Sequence, residues 1–521
     1  MRNRFLGILL LSVFAGQLMG QRIFYSEPDR DDTRQLKFDI LGKFQNQYLV
    51  YKNLRNSHTI AVYTPEMQLK EKVVLDFIPE RTFNVEAFTY SDYSVLIYQY
   101  QRRNVVYCMG VKIDAEGKKI GEPLQIDTTD VGAFGDSKIY SVIASDDRSK
   151  IMVFKIKGRE RDQMTVSTLL LSPNLIPLRR SRFDYALDNN RENIADFYLD
   201  NDGNFLFTHV GRPAQREYIN KLKLVVLPAY GDTLRSLPLQ LDQLFLDEAR
   251  IKVDNLNKRY IVLSYFTKSR RGQVEGLYAA IANQNLEGNT IESAITFDQD
   301  LRNLAKGESS TKLAFNDYYL KHFIVKRDGG LLVTGEAVYT NQRNGMNRWD
   351  MMSPWMMGSP WGMPGFMPWS AWNNWGWSPW GWGGMGMGMG PWGMPGMRGP
   401  ISTRYYADNV MVLSLDANAK LQWSNVINKS QYDDETDHML SYQIMNVGGE
   451  LFFLYNEWQR RTPLLSAQSV KPDGKVDRQP PLKSLDRGYE FMIRFGKQVS
   501  AREMLVPCMY RNIFVFARVE F

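Results

Sequence analysis

The feature that most constrains this chain is a repeat of roughly 45–60 residues, a period that marks an array of like units. Each unit reads as four short β-rich runs parted by Gly, Asn, Asp and Pro turns, without long helical periodicity. The second run of each unit is the most apolar. These runs are Tyr48–Tyr51, Ser94–Tyr100, Ile151–Ile156, Phe205–Val210, Tyr260–Phe266, Leu331–Tyr339, Leu451–Tyr455 and Met504–Tyr510. Turns that suit tight hairpins precede several of them: Ser145-Asp146-Asp147, Asp200-Asn201-Asp202-Gly203, Arg327-Asp328-Gly329-Gly330 and Val447-Gly448-Gly449. The third runs end in a second hairpin signal. Val111-Lys112-Ile113-Asp114-Ala115-Glu116-Gly117 matches Leu413-Ser414-Leu415-Asp416-Ala417-Asn418-Ala419, and Val470-Lys471-Pro472-Asp473-Gly474 is a third copy. Ser172-Pro173-Asn174 and Asn283-Gln284-Asn285 sit at the equivalent place. First runs lie near Leu36–Ile40, Val85–Tyr90, Ile139–Ile143, Ile194–Leu199, Arg250–Val253, Tyr318–Val325, Met439–Met445 and Phe491–Phe495. That makes eight units, or seven if one unit has been divided in two.

In this arrangement the chain resembles the β-propeller superfamily. The resemblance is architectural, covers nearly the whole chain after residue 20, lacks the Gly-His and Trp-Asp signatures of WD40 repeats, and points to no functional family. It implies an all-β, eight-bladed propeller around a central channel. The last unit has three runs, Phe491–Phe495, Met504–Tyr510 and Ile513–Phe521, and a spare run, Arg22–Ser26, precedes the first unit. Pairing the spare run with the last unit is expected to close the ring and bury two sheet edges. The rival architecture is an outer-membrane β-barrel, whose strands need about 9–11 residues with a lipid-facing apolar row. Many runs here are shorter and apolar on both faces, as in Val95-Leu96-Ile97-Tyr98. Stacked sheets bury both faces, which favours the propeller.

Residues 1–20 read as a secretory signal peptide. Arg2 and Arg4 precede an apolar stretch, Phe5 to Phe14, followed by small residues at Ala15, Gly16 and Gly20. The expected mature chain is one propeller domain, 21–521, exported to the periplasm or associated with the outer membrane, with the cell surface as a further option. The composition, 44% hydrophobic with 13% aromatic, excludes a wholly disordered chain. The formal charge of +7 drops to +5 without Arg2 and Arg4, which is too weak and dispersed to argue for nucleic acid. Two Cys exclude a disulfide framework, and with four His they leave little for zinc, so no cofactor is expected.

The sixth unit is interrupted by a Met/Trp/Gly/Pro-rich insertion, 341–400. It holds ten of the 12 Trp and twelve of the 24 Met and is almost uncharged. Ser353-Pro354-Trp355, Ser359-Pro360-Trp361 and Ser378-Pro379-Trp380 recur within it, and Met385 to Gly390 is a Met-Gly alternation. Gly and Pro disfavour helix and sheet, so an irregular loop is expected, projecting from one face of the disc. Exposed Trp and Met in that number point to a contact element for a protein partner of the envelope. The candidate contact residues are Trp355, Trp361, Trp369, Trp372, Trp375, Trp377, Trp380, Trp382 and Trp392, with Met385, Met387 and Met389. Competing readings are a membrane-interface element, Cu(I) held by thioethers, and a low-complexity insertion without a specific partner. Copper is disfavoured because the segment has neither His nor Cys.

His322 and His438 are expected on first strands, lining the channel, where a shared metal or proton site competes with two satisfied core histidines. His209 is expected to pack on a second strand, and His58 to sit in a turn. Cys108 and Cys508 fall in units that unit one separates, so both are read as buried free thiols. Asp200-Asn201-Asp202-Gly203 begins like a calcium loop but lacks a late bidentate Glu, which favours a plain turn. No nucleophile elbow, zinc-protease or phosphate-loop motif occurs. The expected function is a non-enzymatic binding or scaffold protein. The alternative is a propeller hydrolase or lyase acting on glycan or peptide at the channel mouth, which requires paired carboxylates.

Overall fold

The computed structural model describes residues 22–28, 36–131, 139–160, 163–188, 191–214, 217–307, 310–340, 404–434, 437–459, 462–483, 488–510 and 513–521. The proposed signal peptide and the 341–400 insertion lie outside the described residues. Eight antiparallel sheets of four or five strands follow one another along the chain, each a blade running from an inner to an outer strand. The inner strands are Lys37–Phe44, Thr82–Thr89, Tyr140–Ala144, Glu192–Leu199, Arg250–Asp254, Tyr318–Val325 and Tyr442–Val447, with Glu490–Phe491 and Lys497–Gln498 in blade eight.

Eight hydrophobic clusters hold the blades together, one between each neighbouring pair. Strand alternation produces this, because successive side chains point to opposite sheet faces. Val95 and Ile97 pack toward blade three, whereas Leu96 and Tyr98 pack toward blade one. Phe205 and Phe207 face blade three, and Leu206 between them faces blade five. Two buried faces per strand are what eight separate stacked sheets need, and the barrel alternative is set aside.

The eighth cluster joins Phe38, Ile40 and Tyr48 of blade one to Leu505, Phe514 and Phe516 of blade eight, which makes the array a ring. The ring is fastened as the sequence predicted. Arg22–Tyr25 pairs antiparallel with Ile513–Glu520 as the outer strand of blade eight, with Arg22 opposite Glu520 and Tyr25 opposite Ala517. The architecture is an eight-bladed β-propeller closed by its N-terminal strand.

The first strand of blade eight departs from expectation. Phe491–Phe495 is not continuous. A 3₁₀ turn at Ile493–Phe495 interrupts it, and pairing resumes at Lys497. The facing residue is Pro507, which has no N–H to give the ladder and instead accepts from Met492 N–H (2.8 Å).

The meander gives the disc two unlike faces. Connections between first and second strands, and between third and fourth, form the tight-turn face. Connections between second and third strands, and between blades, form the loop face. The matched sequence motifs are the same turn in atomic detail on the tight-turn face. The Asp114 carboxylate accepts from the N–H groups of Glu116 (3.0 Å) and Lys118 (2.8 Å), and Asp416 accepts from Asn418 (2.9 Å) and Lys420 (2.8 Å). Neighbouring turns are also tied to each other. Asn201 accepts from the Asp147 N–H (3.2 Å), and Asn255 accepts from the Asn201 N–H (2.9 Å). Gln498 both accepts from the Asn446 N–H (3.0 Å) and donates to its carbonyl (2.9 Å).

Candidate functional site at the loop-face mouth of the channel

Inner strands carry isolated charges within otherwise apolar runs, and the ring brings these charges together around the channel. Burying a charge is unfavourable unless it is paired and hydrogen-bonded, so each such residue reports a partner. Glu336, on the second strand of blade six, is fully buried and forms a hub. Lys429 lies 2.8 Å and Lys321 3.4 Å from its carboxylate, and the Ser441 hydroxyl donates to it (2.6 Å). Burial opposes its charge, but the two ammonium groups and the hydroxyl outweigh that, so the carboxyl stays below the usual range. Lys429 also donates to the Ala407 carbonyl (2.7 Å) and to Gln431 (2.9 Å). Gln431 accepts from the Ser441 N–H (2.8 Å) and donates to the Asn456 carbonyl (2.9 Å). Ser441 holds φ 79, a left-handed backbone that its two hydrogen bonds stabilise.

A second cluster spans blades four to six. Asp196 sits at a bulge in the inner strand of blade four, with φ 50, a conformation Asp tolerates better than most residues. Its carboxylate accepts from the Ile251 N–H and lies 3.5 Å from the Arg250 guanidinium, whose other neighbours include Glu248 (3.6 Å). Burial raises the Asp196 carboxyl to about 6, with Arg250 and the Ile251 N–H opposing. His322 lies on the inner strand of blade six, as expected, with its ring 5.4 Å from that of Tyr442. Burial, helped by Lys321, lowers it to about 4, so it is neutral at pH 7.

His438 is not on a first strand. That strand starts at Tyr442, and His438 belongs to a turn in which the Leu440 N–H donates to Asp437 O (3.1 Å). Arg494 from blade eight clamps the turn, with two bonds to the Asp437 carboxylate (2.9 and 3.0 Å). His438 rests on Phe495, with ring centroids 6.0 Å apart, so the two histidines are seated on different rings in different blades. His58 is a strand residue, since the left-handed Arg55 and Asn56 already complete the turn before it. Its Nδ1 bonds the Tyr51 hydroxyl. His209 packs on a second strand, bonded to Glu192 (3.1 Å) and Tyr185 (2.9 Å). Cys108 and Cys508 are buried and unbridged. Asp200 forms a turn, accepting from the Asn204 N–H (2.8 Å). Among the described residues, no group of three His, Cys, Asp or Glu is placed to hold a metal.

Glu490, at the start of the first strand of blade eight, is a half-buried carboxyl. Burial raises Glu490 to about 7, and the charge of Asp433 adds to the shift. No spacing or motif marks Glu490 or the Glu336 hub. The only signal was an acidic residue inside an apolar run, as in Thr334-Gly335-Glu336-Ala337-Val338.

The insertion is rooted in the same area. Thr340 and Tyr405 are register partners, so the chain leaves blade six and re-enters it at one point. Around that point Tyr339 stacks on Tyr406 (4.7 Å) and donates to Asp408 (2.5 Å), and Arg404 lies over the Tyr432 ring (4.7 Å). Tyr432 is 57% exposed and Trp458 52%. The proposed contact residues, Trp355 through Trp392 and Met385, Met387 and Met389, lie outside the described residues.

No family model and no curated protein matches the chain. Among solved structures it is similar to a prolyl endopeptidase, with a TM-score of 0.34 and 8% identity over 85% of this chain and 56% of that one. It is similar to prolyl oligopeptidase B from Galerina marginata, at TM-score 0.40 and 7% identity over 92% and 56%. It is also similar to cobalt-substituted Synechocystis apocarotenoid oxygenase, at TM-score 0.33 and 8% identity over 96% and 93%. The chain spans about half the length of the two prolyl peptidases. The strand pairings carry the fold assignment, and these likenesses add no activity to it.

Proposed function

We propose that this protein is an exported, non-enzymatic binding or scaffold protein of the bacterial cell envelope. It contacts a protein partner through the loop face, led by the Trp/Met-rich insertion. The observation that supports this most is the rooting of the insertion. Both of its ends meet at the Thr340–Tyr405 pair, above the buried Glu336–Lys429–Ser441 hub. A rigid pedestal holding a Trp-rich segment suits contact, because a fixed anchor lowers the ordering cost of binding. The channel clusters support the same reading, since Glu336 and Asp196 are each engaged by cations. Replacing 341–404 with a short Gly-Ser turn tests it. The shortened protein is expected to melt like the parent and to lose its partner in pull-downs from native envelopes. Unchanged co-purification sinks the reading.

One observation favours a second reading, a hydrolase acting on glycan or peptide at the channel mouth. Glu490, raised to about 7 by burial and by the charge of Asp433, titrates where a general acid would. A screen with chromogenic glycosides and peptide amides decides between the two. Turnover that Glu490→Gln abolishes supports the hydrolase, and turnover that survives the substitution removes Glu490 from the chemistry.

A further inference from the structure

A third cluster of titratable side chains lies on the loop face between blades three and four. Three of its members form a chain of hydrogen bonds. Tyr185 lies near the loop-face end of the outer strand of blade three, Pro177–Ala186. Glu192 begins the inner strand of blade four, and His209 lies on the second strand, Phe205–Gly211. The Tyr185 ring packs edge-on against Phe207 (5.2 Å) and His209 (5.5 Å). Its hydroxyl is 2.9 Å from His209 Nδ1, and His209 Nε2 is 3.1 Å from Glu192 Oε2.

The chemistry of the three groups fixes the direction of these bonds. An ionised carboxylate only accepts, so His209 carries its proton on Nε2 and its bare Nδ1 accepts from the Tyr185 hydroxyl. Glu192 stays ionised. Burial opposes its charge, but the Asp188 N–H (2.8 Å), Lys221 (3.3 Å) and His209 outweigh burial. His209 stays neutral at pH 7, because burial lowers it, with Lys223 reinforcing and Glu192 and Asp188 opposing. Tyr185 keeps its proton at rest, since burial raises it to about 12, and Glu192 and Asp188 add to the shift. A hydroxyl, a neutral imidazole within hydrogen-bond reach and a carboxylate orienting that imidazole are the three parts of an activated nucleophile. His209 and Glu192 are buried, whereas Tyr185, the member that would react, is partly open to solvent.

We propose that Tyr185 is a site of covalent acylation, taking an acyl group from an activated ester with His209 as base and Glu192 as positioning residue. The phenolic oxygen attacks the acyl carbonyl while its proton passes to His209 Nδ1. The bond from the acyl carbon to the leaving oxygen breaks, and His209 returns the proton to that oxygen. The products are an aryl ester on Tyr185 and a free alcohol. Glu192 holds the imidazole in the required tautomer and stabilises the imidazolium formed in between. The surroundings favour a neutral acyl donor. The charges that act on the hydroxyl are those of Glu192 and Asp188, both negative, which disfavours an anionic phosphoryl or sulfuryl donor. Phe183 and Phe207, stacked at 6.2 Å, offer an acyl chain an apolar floor. One acylation fills the site, so the step is a modification and is compatible with a scaffold.

The test treats the full chain with p-nitrophenyl acetate and follows acetylation of each tyrosine by mass spectrometry of its peptides. Tyr185 is expected to be acetylated about tenfold faster than any other tyrosine. Its rate is expected to stay flat from about pH 7 to 9, because neutral His209 is the base throughout, whereas an unassisted phenol gains about tenfold per pH unit below its pKa. His209→Gln is expected to slow the label about tenfold, and Glu192→Gln to replace the flat profile with the rising one. The profile is read on the unaltered protein, so it decides the matter even where a buried substitution unfolds the chain. A Tyr185 label that only keeps pace with the other tyrosines, a rate that climbs about tenfold per pH unit, or full-rate labelling in His209→Gln each overturns the proposal.

Discussion

The tight-turn face and the loop face come from the same four-strand cycle, yet they spend their polar residues differently. On the tight-turn face, Asx side chains close their own hairpins, as Asp114 and Asp416 do, or reach the preceding blade's backbone, as Asn201 and Asn255 do. Each such bond recurs from blade to blade and is modest. On the loop face, polar residues gather into a few buried hubs that join segments far apart in the chain, such as Glu336, Lys429 and Ser441. The difference teaches where this fold tolerates novelty. Regular turns set blade spacing all around the ring, whereas one strong hub suffices to hold a blade that carries a large insertion.

Breaking a hub should therefore cost most. Lys429→Met leaves Glu336 buried with Lys321 as its remaining cation, and a loss of about 3 kcal/mol is expected in denaturant unfolding. A loss under about 1 kcal/mol would mean the hub is not what steadies blade six.

The second effect is a pH dependence at the ring seam. Asp39 is buried in blade one near Lys497 of blade eight, which donates to the carbonyls of Ile40 (2.7 Å) and Leu41 (3.2 Å). Burial raises Asp39 to about 7, with Lys497 and Arg148 opposing and Glu86 reinforcing. The folded state thus holds this proton where the unfolded chain has released it. Stability should decline as pH rises from about 4 to 7. Asp39→Asn should flatten that slope in thermal melts across the window, and an unchanged slope assigns it elsewhere.

A single tight-turn link should cost less. Asn255→Ala removes the acceptor of the Asn201 N–H and a donor to Asp146 (3.2 Å), with an expected loss of about 1 kcal/mol. A loss matching Lys429→Met would erase the contrast between the faces. The smallest effect belongs to replacing 341–404 with a short turn, since loop length changes stability only slowly and Thr340 already opposes Tyr405. A shift under about 1 kcal/mol is expected.

The blade pattern was legible in the sequence because it is local. Asp114 and Asp416 hydrogen-bond two and four residues ahead, and Leu96 and Ile97 declare both sheet faces within two positions. Blade count and ring closure followed from the same arithmetic. What stayed hidden was non-local or caused by a single atom. Pro507 breaks the first strand of blade eight from the facing strand, and nothing in Phe491–Phe495 itself announces it. His438 falls one turn short of the strand that the repeat pattern assigns it to, because Arg494 of blade eight holds Asp437 in a turn. The Glu336 hub joins three positions with no spacing rule. The Asp196 bulge is likewise set by Arg250 and Ile251 of the next blade.

The fastening of the ring has a practical consequence. Arg22 lies opposite Glu520, and the Phe521 N–H donates to Arg502 O (3.0 Å), in the turn between the first two strands of blade eight. Both residues thus sit on the tight-turn face, while the insertion leaves from the other. Anything attached beyond Arg22 or Phe521 departs from the side opposite the insertion, across a disc one strand deep, roughly 25–30 Å. A bead or affinity handle joined at either end would hold the protein with the face bearing the Thr340–Tyr405 pair outward. A surface holding the chain at these ends and a partner gripped by the insertion would have the disc between them.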